Sequence, residues 1–580
     1  MNKYTKHMKP HWYCYFLGPF FMTLEACGEF IIPFINANII NKGAATGNIS
    51  YIVENSFYML LVAASMLITG VLGAFFSVRG AARMAAGVRK EVFDKIQTFS
   101  FSDIDRFSTG SLNTRVTNDF TQVQTFTQSL FRGFIRSPNM LIGALIMSFK
   151  LNPDIAWVIF IVVPFLAYAT YIIRKISAPR YTLMQEQLDT MNTGIGEAIT
   201  NERVIKSFVR EEHEKSKFKV INSALMEKTV SAMKTLILMQ PVYAFFTNVT
   251  TLVVVWIAGK QIMVGGMEIG TLTAFITYLS QILTALNALA NIVQQGTRAA
   301  ASDRRLSEVL DTQPDISDAH VAEDAHEISS GSIEFRDVTF RYFKDNKTPV
   351  LDGVNVKINS GEFVGIVGST GSGKTTFISM IPRLYDPDQG EVLVDGVNVK
   401  ELKLSQLREN VSVVLQKNTL FSGTVMENLR WGNENATEEE MVRACKIAQA
   451  DGFVRSFPDG YETEIGQGGG NLSGGQKQRL CIARALLKQP KIMILDDSTS
   501  AVDTATDAGI RKALREQLPN ITKLVIAQRI SSVMEADKII VMEKGKIVGF
   551  GTHQELMKTC LTYQEIYYSQ KDREEENENE

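Results

Sequence analysis

Cysteine and net charge are both scarce in this sequence. Its 580 residues include five cysteines and carry a formal net charge of −2. The cysteines lack the spacing of a zinc site or a disulfide framework, so we interpret them as free thiols facing membrane or cytosol. They are Cys14, Cys27, Cys445, Cys481 and Cys560. The near-neutral net charge gives no argument for nucleic acid as a partner. The chain is also too long for one compact domain.

Long apolar runs are present, but only in the first half of the chain. Six segments are long enough to cross a lipid bilayer, which takes about 20 residues of helix. They lie near 13–40, 56–78, 131–150, 153–174, 238–262 and 270–293. Lysine and arginine concentrate after the second segment and after the fourth. The positive-inside rule therefore predicts a multi-pass protein of the cell membrane, with both termini and both long loops in the cytosol.

The second half has the composition of a soluble α/β domain. A polar, acidic stretch without strong periodicity, DTQPDISDAHVAEDAHE, marks the boundary between the halves. We predict a helical membrane domain with long cytosolic helical loops, then a linker, an α/β domain and an acidic tail. The membrane domain is 1–310, the linker 311–330, the α/β domain 331–570 and the acidic tail 571–580.

A glycine-rich turn follows a buried-strand pattern at FVGIVGSTGSGKTT. It fits the phosphate-loop form G-x-x-x-x-G-K-T, in which backbone N–H groups and a helix N-terminus point at phosphate oxygens. Lys374 would then reach the β- and γ-phosphates of ATP, and the hydroxyl of Thr375 would bind Mg²⁺. The predicted nucleotide-binding residues here are Gly368, Ser369, Thr370, Gly371, Ser372, Gly373, Lys374, Thr375 and Thr376.

Two neighbouring carboxylates end a second apolar run, in IMILDDSTSAVD. Asp496 fits the second acid that a phosphate-loop site needs, and it would hold Mg²⁺ through water. The alternative is an acid at a strand end that caps the next helix. Asp497 follows directly, and two acids side by side suggest two separate roles.

These motifs together resemble the ATP-binding-cassette (ABC) proteins. NLSGGQKQR (471–479) is similar to the family's signature motif, and SAVD (500–503) to a further one. The first half resembles the exporter-type half-transporter, including its cytosolic segments TGSLNTRVTND and IGEAITNERVIKSF. The resemblance spans nearly the full chain. It implies a membrane α-helical domain of six transmembrane helices followed by a soluble α/β P-loop nucleotide-binding domain.

The resemblance also implies roles for individual residues. Tyr342 matches the aromatic that stacks on adenine, although a strand aromatic packed in the core is the alternative. Gln416 matches the glutamine that senses Mg²⁺ and couples to the membrane half. The signature residues would bind the γ-phosphate held by the opposite subunit, so two such chains must dimerise to complete a site. Those residues are Leu472, Ser473, Gly474, Gly475 and Gln476.

The sequence departs from the family pattern at one site. Asp497 stands where the family has the glutamate that activates water, Gln528 where it has a switch histidine, and Gln467 where it has another glutamate. In one interpretation the chain is a slow homodimeric ATPase. In the one we favour, it is half of a heterodimer: its own site is degenerate and hydrolyses ATP poorly, while its intact signature serves the partner's site.

Two acids in the first apolar segment concern the chemical nature of the transported compound. Glu25 and Glu29 are four residues apart and so lie on one helix face. Acidic side chains in a membrane helix cost free energy, and they usually face a cavity or a partner. One hypothesis is a substrate cavity for a cationic or amphipathic cargo. The alternatives are a position near the helix end in water, or pairing with the other subunit.

The resemblance implies ATP-driven export of drugs or other amphipathic, lipid-like compounds across the cytoplasmic membrane. A peptide exporter and an importer on the same scaffold are the alternatives. The expected partners are a second half-transporter, the lipid bilayer and a small amphipathic substrate. The cytosolic regions near 109–119 and 208–215 would carry closure of the nucleotide-binding domains to the membrane.

Overall fold

The computed structural model describes residues 2–318, 321, 327–344, 346–497 and 502–579. The chain divides into two compact units. The membrane unit comprises Met1–Gln97 and Gly110–Thr312, and the α/β unit comprises Thr98–Thr109 and Gln313–Glu580. Part of the predicted linker and Ser500 and Ala501 of the SAVD motif lie outside the described residues. All five cysteines are free thiols.

The membrane unit is helical throughout its regular structure. Short π-helical turns at Ile39–Ala44 and Arg115–Asp119 and a 3₁₀ turn at Lys9–His11 join some of its helices. Its helices are α1 (Asn2–Met8), α2 (Trp12–Asn38), α3 (Ile49–Gln97), α5 (Thr109–Thr114), α6 (Phe120–Leu151), α7 (Pro153–Thr200), α8 (Glu202–Ser207), α9 (Glu211–Ile237), α10 (Met239–Met263) and α11 (Ile269–Asp311), while α4 (Phe101–Phe107) belongs to the α/β unit.

Helices cover all six apolar segments predicted from the sequence. Among the described residues, five helical stretches are long and apolar enough to cross a membrane, and these contain α2, α3, α7, α10 and α11. The predicted segment 131–150 lies in α6, which has the length but is less apolar because Arg132, Arg136 and Lys150 fall within it. Several of these helices extend well beyond a bilayer's thickness, as the 49 residues of α3 show.

Small residues bring α2 and α3 close together. A Cβ atom on Gly73 would lie 2.4 Å from the Cε of Met22, and one on Gly18 would lie 2.8 Å from the Oγ of Ser77. Membrane helices gain little from the hydrophobic effect, so close backbone approach through such residues is a main source of their packing energy. The sequence of this interface therefore sets how tightly the two helices pack.

The α/β unit contains two main sheets. A six-stranded sheet has the order β12-β11-β3-β10-β9-β6, with only β12 antiparallel, and a four-stranded antiparallel sheet has the order β2-β1-β4-β5. The strands are β1 (Ile333–Phe340), β2 (Leu351–Ile358), β3 (Phe363–Gly368), β4 (Gln389–Val394), β5 (Val397–Asn398), β6 (Val411–Val414), β7 (Gly423–Thr424), β8 (Glu464–Ile465), β9 (Ile492–Asp496), β10 (Thr522–Ile526), β11 (Lys538–Glu543) and β12 (Lys546–Gly551).

Helices pack around these sheets and complete two buried cores. Every residue of β9 and β10 is buried, which explains why the sequence there is a continuous apolar run rather than an alternating one. The helices are α12 (Lys374–Met380), α13 (Leu404–Asn410), α14 (Val425–Arg430), α15 (Glu438–Ile447), α16 (Asp451–Arg455), α17 (Gly474–Leu487), α18 (Thr504–Gln517), α19 (His553–Thr559) and α20 (Leu561–Asn579).

A short helix from the first half of the sequence belongs to the α/β unit. Ser100 caps α4 by accepting a hydrogen bond from the backbone N–H of Asp103, whose carboxylate accepts one in return. The hydroxyl of Tyr385 donates to Asp105 over 2.8 Å, and the ring of Tyr385 lies 6.2 Å from that of Phe101. The segment that belongs to the α/β unit is Thr98–Thr109, which ends where the 109–119 region named from the sequence begins.

Candidate nucleotide site

The site forms where three parallel strands end. Strand β10 pairs in parallel with both β3 and β9, so their carboxyl ends meet at one edge of the sheet. Gly368 ends β3, Asp496 ends β9 and Ile526 ends β10. In open α/β sheets, ligands bind in the crevice outside these carboxyl ends. Local sequence thus supplies each motif, and the strand order brings them together.

A cavity of about 520 Å³ opens at this edge. It is lined by the whole phosphate loop and by both acids, together with the glutamines expected from the sequence. The predicted residues among its lining are Gly368, Ser369, Thr370, Gly371, Ser372, Gly373, Lys374, Thr375, Thr376, Gln416, Asp496, Asp497 and Gln528.

The phosphate loop curls tightly around the cavity. Gly373 has a φ of 98°, and a Cβ atom there would lie 2.8 Å from the carbonyl oxygen of Val350, so only glycine fits. The Nζ of Lys374 donates to the carbonyl oxygens of Gly368 at 2.8 Å and Ser369 at 2.9 Å. Burial lowers the pKa of Lys374, against the opposing effect of Asp496 and Asp497. The ammonium group is therefore desolvated and held over the loop.

Hard oxygen donors stand beside this lysine. The hydroxyl of Thr375 donates to Asp496, with its oxygen 3.1 Å from Oδ2 and 3.3 Å from Oδ1. Burial raises the pKa of Asp496, and the neighbouring Asp497 raises it further. A hydroxyl and one carboxylate suit Mg²⁺, which is bound by one or two carboxylates together with the phosphates of its substrate. The residues present therefore fit Mg²⁺.

Asp497 is held in place by two glutamines. Its Oδ2 accepts hydrogen bonds from the Nε2 of Gln528 at 2.6 Å and from the Nε2 of Gln416 at 3.3 Å. Its backbone is left-handed, with a φ of 48°, and its N–H donates to Ile526. Burial raises the pKa of Asp497, while these two amides lower it. Gln416, expected on Mg²⁺, here directs its amide nitrogen at Asp497.

Tyr342 lies beside the cavity without lining it. Its side chain follows β1 and is 39% exposed, so the ring is not enclosed in the core. Its hydroxyl forms a hydrogen bond of 2.9 Å with that of Thr376, and the ring meets Tyr385 edge-on at 5.2 Å. The anchored ring therefore lies next to the phosphate loop with part of its surface exposed.

Some lining residues were missed by reasoning from the sequence. Gln570 donates from Nε2 to the carbonyl oxygen of Gln528 and accepts at Oε1 from the N–H of Ile530. Together with Ile566 it brings α20 to the cavity. No motif marks these residues, since Gln570 stands directly before a charge run that reads as a solvated tail.

The signature residues do not line this cavity. Ser473 caps α17: its Oγ accepts from the N–H of Gln476, and the Gln476 side chain accepts from the N–H of Ser473. The 14-residue α17 thus begins at Gly474 with an ordered, positive N-terminal end. Leu472, Gly475 and the rest of the motif therefore stand at this helix end and not at the cavity of the chain's own phosphate loop.

Comparisons with known proteins agree with this architecture. The family model for the ABC transporter transmembrane region matches residues 15–286, and the ABC transporter model matches residues 351–500. The chain is 36% identical over 575 residues to the uncharacterized ABC transporter ATP-binding protein YfiB of Bacillus subtilis (strain 168), covering 99% of both proteins. The chain belongs to the ABC transporter family.

The chain is also similar to a protein named as a lipid flippase and to a solved structure. It is 33% identical over 491 residues to the ATP-dependent lipid A-core flippase of Syntrophus aciditrophicus (strain SB), covering 84% of this chain and 80% of the flippase. A solved bacterial Atm1-family ABC exporter with ATP bound superposes with a TM-score of 0.80 at 23% identity, over 96% of this chain and 98% of that one. The predicted fold class is confirmed.

Family membership supports the expectations of a membrane location and of ATP hydrolysis. The transporter is a multi-pass membrane protein with an ATP-hydrolysing cassette, and such cassettes typically use Mg²⁺. ABC exporters function as dimers in the membrane. One chain holds one phosphate loop and one signature.

The acidic pair of the first apolar segment has a partner within the same chain. Arg136 of α6 donates from Nη2 to Oε1 of Glu29, and its Nε lies 3.6 Å from Oε2 of Glu25. The sequence-based alternatives named a cationic cargo, water or the other subunit as the partner of these acids. None of these alternatives is an arginine of the same chain, because no residue near α2 in the sequence indicates one.

Proposed function

We propose that this chain is one half of a heterodimeric ABC exporter. It would drive amphipathic, drug-like or lipid-like compounds out across the cytoplasmic membrane at the expense of ATP, with both termini in the cytosol. Support comes from its helical membrane unit, from its nucleotide cassette and from a relative that is named as a lipid A-core flippase.

The chain's own site would bind ATP with its phosphate loop. Gly368 to Thr376 would hold the phosphates through backbone N–H groups, and Lys374 would contact the β- and γ-phosphates. Thr375 and Asp496 would hold Mg²⁺, with Gln416 reaching it when nucleotide is bound. The ion would neutralise charge that develops on the phosphates. The ring of Tyr342 would stack on the adenine ring.

One observation carries the proposal that this site is degenerate. The carboxylate of Asp497 lies 2.6 Å from the amide of Gln528, so the two positions that depart from the family pattern contact each other. Aspartate is one methylene shorter than glutamate, which withdraws the carboxylate by about 1.5 Å. A glutamine can donate a hydrogen bond but cannot carry imidazolium charge. Both changes slow hydrolysis without impairing binding.

The signature would serve the other site. Leu472 to Gln476 end at a capped helix N-terminus, which favours a phosphate presented from outside the chain. In the heterodimer this end would close over the ATP on the partner's phosphate loop. Closure would open the membrane pathway to the outside, and hydrolysis at the partner's site would reset it. ATP retained at the degenerate site would keep the cassettes near each other.

The experiment measures ATP turnover by the chain purified alone and co-purified with the half-transporter encoded beside it. We expect vigorous turnover only by the pair. Asp497→Asn in this chain should leave that turnover nearly unchanged, whereas Ser473→Ala should reduce it, because Ser473 acts on the partner's nucleotide. Loss of turnover in the Asp497→Asn pair would refute the degenerate-site assignment.

A slow homodimer is the second candidate, favoured by the retained carboxylate. Asp497 is only 7% exposed and lines the cavity, which supports a role as the base. Robust turnover by the chain alone that Asp497→Asn abolishes would establish this alternative.

A further inference from the structure

A single glutamine of α20 holds the turn that carries Gln528. The Nε2 of Gln570 donates to the carbonyl oxygen of Gln528 over 2.7 Å, and its Oε1 accepts from the N–H of Ile530 over 2.8 Å. Arg529 between them is extended, with a φ of −94° and a ψ of 126°. One side-chain amide therefore pairs with the backbone on both sides of Arg529, as a neighbouring strand would.

This turn lies between the central sheet and the next regular element. Strand β10 ends at Ile526, and the N–H of Ala527 then donates to the carbonyl oxygen of Ile366 over 3.3 Å. A 3₁₀ turn begins at Ile530 and ends at Ser532. Backbone groups at the end of a strand and at the start of a helical turn need partners from elsewhere. Gln570 supplies such partners to this segment.

The helix that carries Gln570 is anchored in the core of the α/β unit. Tyr563 is fully buried, and its hydroxyl forms a hydrogen bond of 2.7 Å with Nδ1 of His553. Ile566 and Tyr567 pack against the same core. Tyr563, Ile566 and Gln570 follow one another at helical spacing, so they lie on one face of α20. The apolar stripe that fixes the helix thus ends in the glutamine at the cavity.

The contacts continue from this turn to the acid of the nucleotide site. The Nε2 of Gln528 donates to Oδ2 of Asp497 over 2.6 Å, and both residues line the cavity together with Ile566 and Gln570. A functional side chain keeps its place only when the groups that support it are themselves fixed. The bond from Gln570 to the Gln528 carbonyl therefore helps to determine where the Gln528 amide lies.

We propose that Gln570 is a positioning residue of the nucleotide site, through which α20 sets how strongly Gln528 distinguishes ATP from ADP. Gln528 stands at the position of the family's γ-phosphate switch, and ADP lacks that phosphate. Gln570 acts through Gln528 rather than on the nucleotide. This inference rests on the proposed binding of ATP at this chain's own phosphate loop, and it gives a role to a helix that no motif marks.

Loss of the amide at position 570 should loosen the turn and leave the helix in place. Methionine is similar in length to glutamine, but it has no N–H donor and its sulfur is a weak acceptor. Gln570→Met therefore removes both hydrogen bonds with little change in packing. The carbonyl of Gln528 and the N–H of Ile530 then turn to water for partners. Affinity that depends on contact with the γ-phosphate should fall, while affinity for the rest of the nucleotide should stay.

The test uses the purified transporter, together with its partner half where one co-purifies. A photoreactive azido-ATP is added with Mg²⁺ on ice, and ultraviolet light attaches it to each chain that binds it. Electrophoresis separates the chains, so that labelling is measured for this chain alone. Unlabelled ADP and the non-hydrolysable ATP analogue AMPPNP are titrated as competitors. The ratio of their half-displacing concentrations measures the preference for a γ-phosphate.

A second glutamine of the same helix provides a matched control. Gln564 donates from Nε2 to the backbone carbonyl of Met557 over 2.7 Å, but it is not among the residues that line the cavity. The variants are Gln570→Met, the control Gln564→Met, Gln528→Ala, and Gln570→Met combined with Gln528→Ala. Alanine at position 528 keeps the backbone carbonyl that Gln570 binds and removes only the side chain through which Gln570 would act.

We expect Gln570→Met to lower the preference for AMPPNP over ADP by about three- to tenfold, and Gln564→Met to leave it unchanged. In the Gln528→Ala background, Gln570→Met should have no further effect on this preference. A merely structural role would lower it equally in both backgrounds, and that result would overturn the proposal. An unchanged preference in Gln570→Met, or no preference for AMPPNP in the unmodified transporter, would overturn it as well.

The label also separates this inference from the proposed function. Labelling of this chain that Lys374→Ala abolishes would locate the nucleotide at the chain's own phosphate loop. The absence of such labelling would reject the proposed ATP site, and the inference with it. Labelling that depends on Lys374 but shows the same competitor ratio before and after Gln570→Met would uphold the ATP site and reject only the role of Gln570.

Discussion

Replacing Asp497 by glutamate tests whether the length of this side chain limits ATP hydrolysis at the chain's own site. Asp497 is 7% exposed and lies between the amides of Gln528 and Gln416, at 2.6 and 3.3 Å. These contacts hold the carboxylate at the sheet edge. Glutamate adds one methylene, which moves the carboxylate outward by about 1.5 Å.

The expected gain follows from that distance. A misplacement of about 1 Å in a catalytic group can cost on the order of 100-fold in rate. Asp497→Glu should therefore raise ATP turnover by the chain alone by about 10- to 100-fold. Adding Gln528→His should raise it further, because an imidazole can carry charge beside the γ-phosphate. Aspartate tolerates the left-handed φ of 48° better than glutamate, so we also expect a small loss of thermal stability.

The assay is steady-state phosphate release by the chain purified without a partner, with Asp497→Asn as the baseline. The asparagine variant keeps the length of the side chain and removes its charge. Turnover of Asp497→Glu that stays at the baseline would refute the argument from side-chain length. Turnover of the unmodified chain far above the baseline would show that Asp497 already acts as the base.

Three further predictions concern the α/β unit. Tyr342→Ala should weaken ATP binding by about 1 kcal/mol or more through lost stacking, whereas Tyr342→Phe should not; fluorescent-nucleotide titration compares them. Binding of Mg²⁺ with ATP should weaken as pH falls through the raised pKa of Asp496, because burial favours its protonated form and only the carboxylate binds the ion. Titrations from about pH 7 to 3 test this, and a loss of binding confined below the ordinary pKa near 3.8 would contradict it. Asp395 accepts hydrogen bonds from the backbone N–H groups of Ser330 and Ser332, so Asp395→Ala should lower the free energy of unfolding by about 2 kcal/mol in denaturant titrations, and an unchanged midpoint would count against it.

Much of the fold could be predicted because its signals are local. Each apolar segment carries its own hydrophobicity, and each became a helix, although charge within 131–150 makes α6 less apolar than the others. A buried strand, a glycine turn and a helix start are contiguous from Phe363 to Met380, so the phosphate loop could be placed without knowing its surroundings. The identity of the two acids at the end of β9 was equally evident.

Contacts between distant residues could not be predicted in this way. Gln528 and Asp497 are 31 residues apart in sequence, and only the pairing of β10 with β9 makes them neighbours. The motif comparison indicated that both positions had changed, but not that the two side chains contact each other. Gln570 reaches the same cavity from α20 with no motif to mark it.

The sequence by itself determined the membrane segments, the α/β cassette and the chemistry of its phosphate loop, because each depends on residues adjacent in the chain. Only the tertiary structure decided which groups meet. Arg136 lies 107 residues from Glu29, and the packing of α2 against α6 gives the acidic pair an arginine partner. The physical reason is that a charge's energy depends on what surrounds it in space, which the order of residues along one helix does not specify.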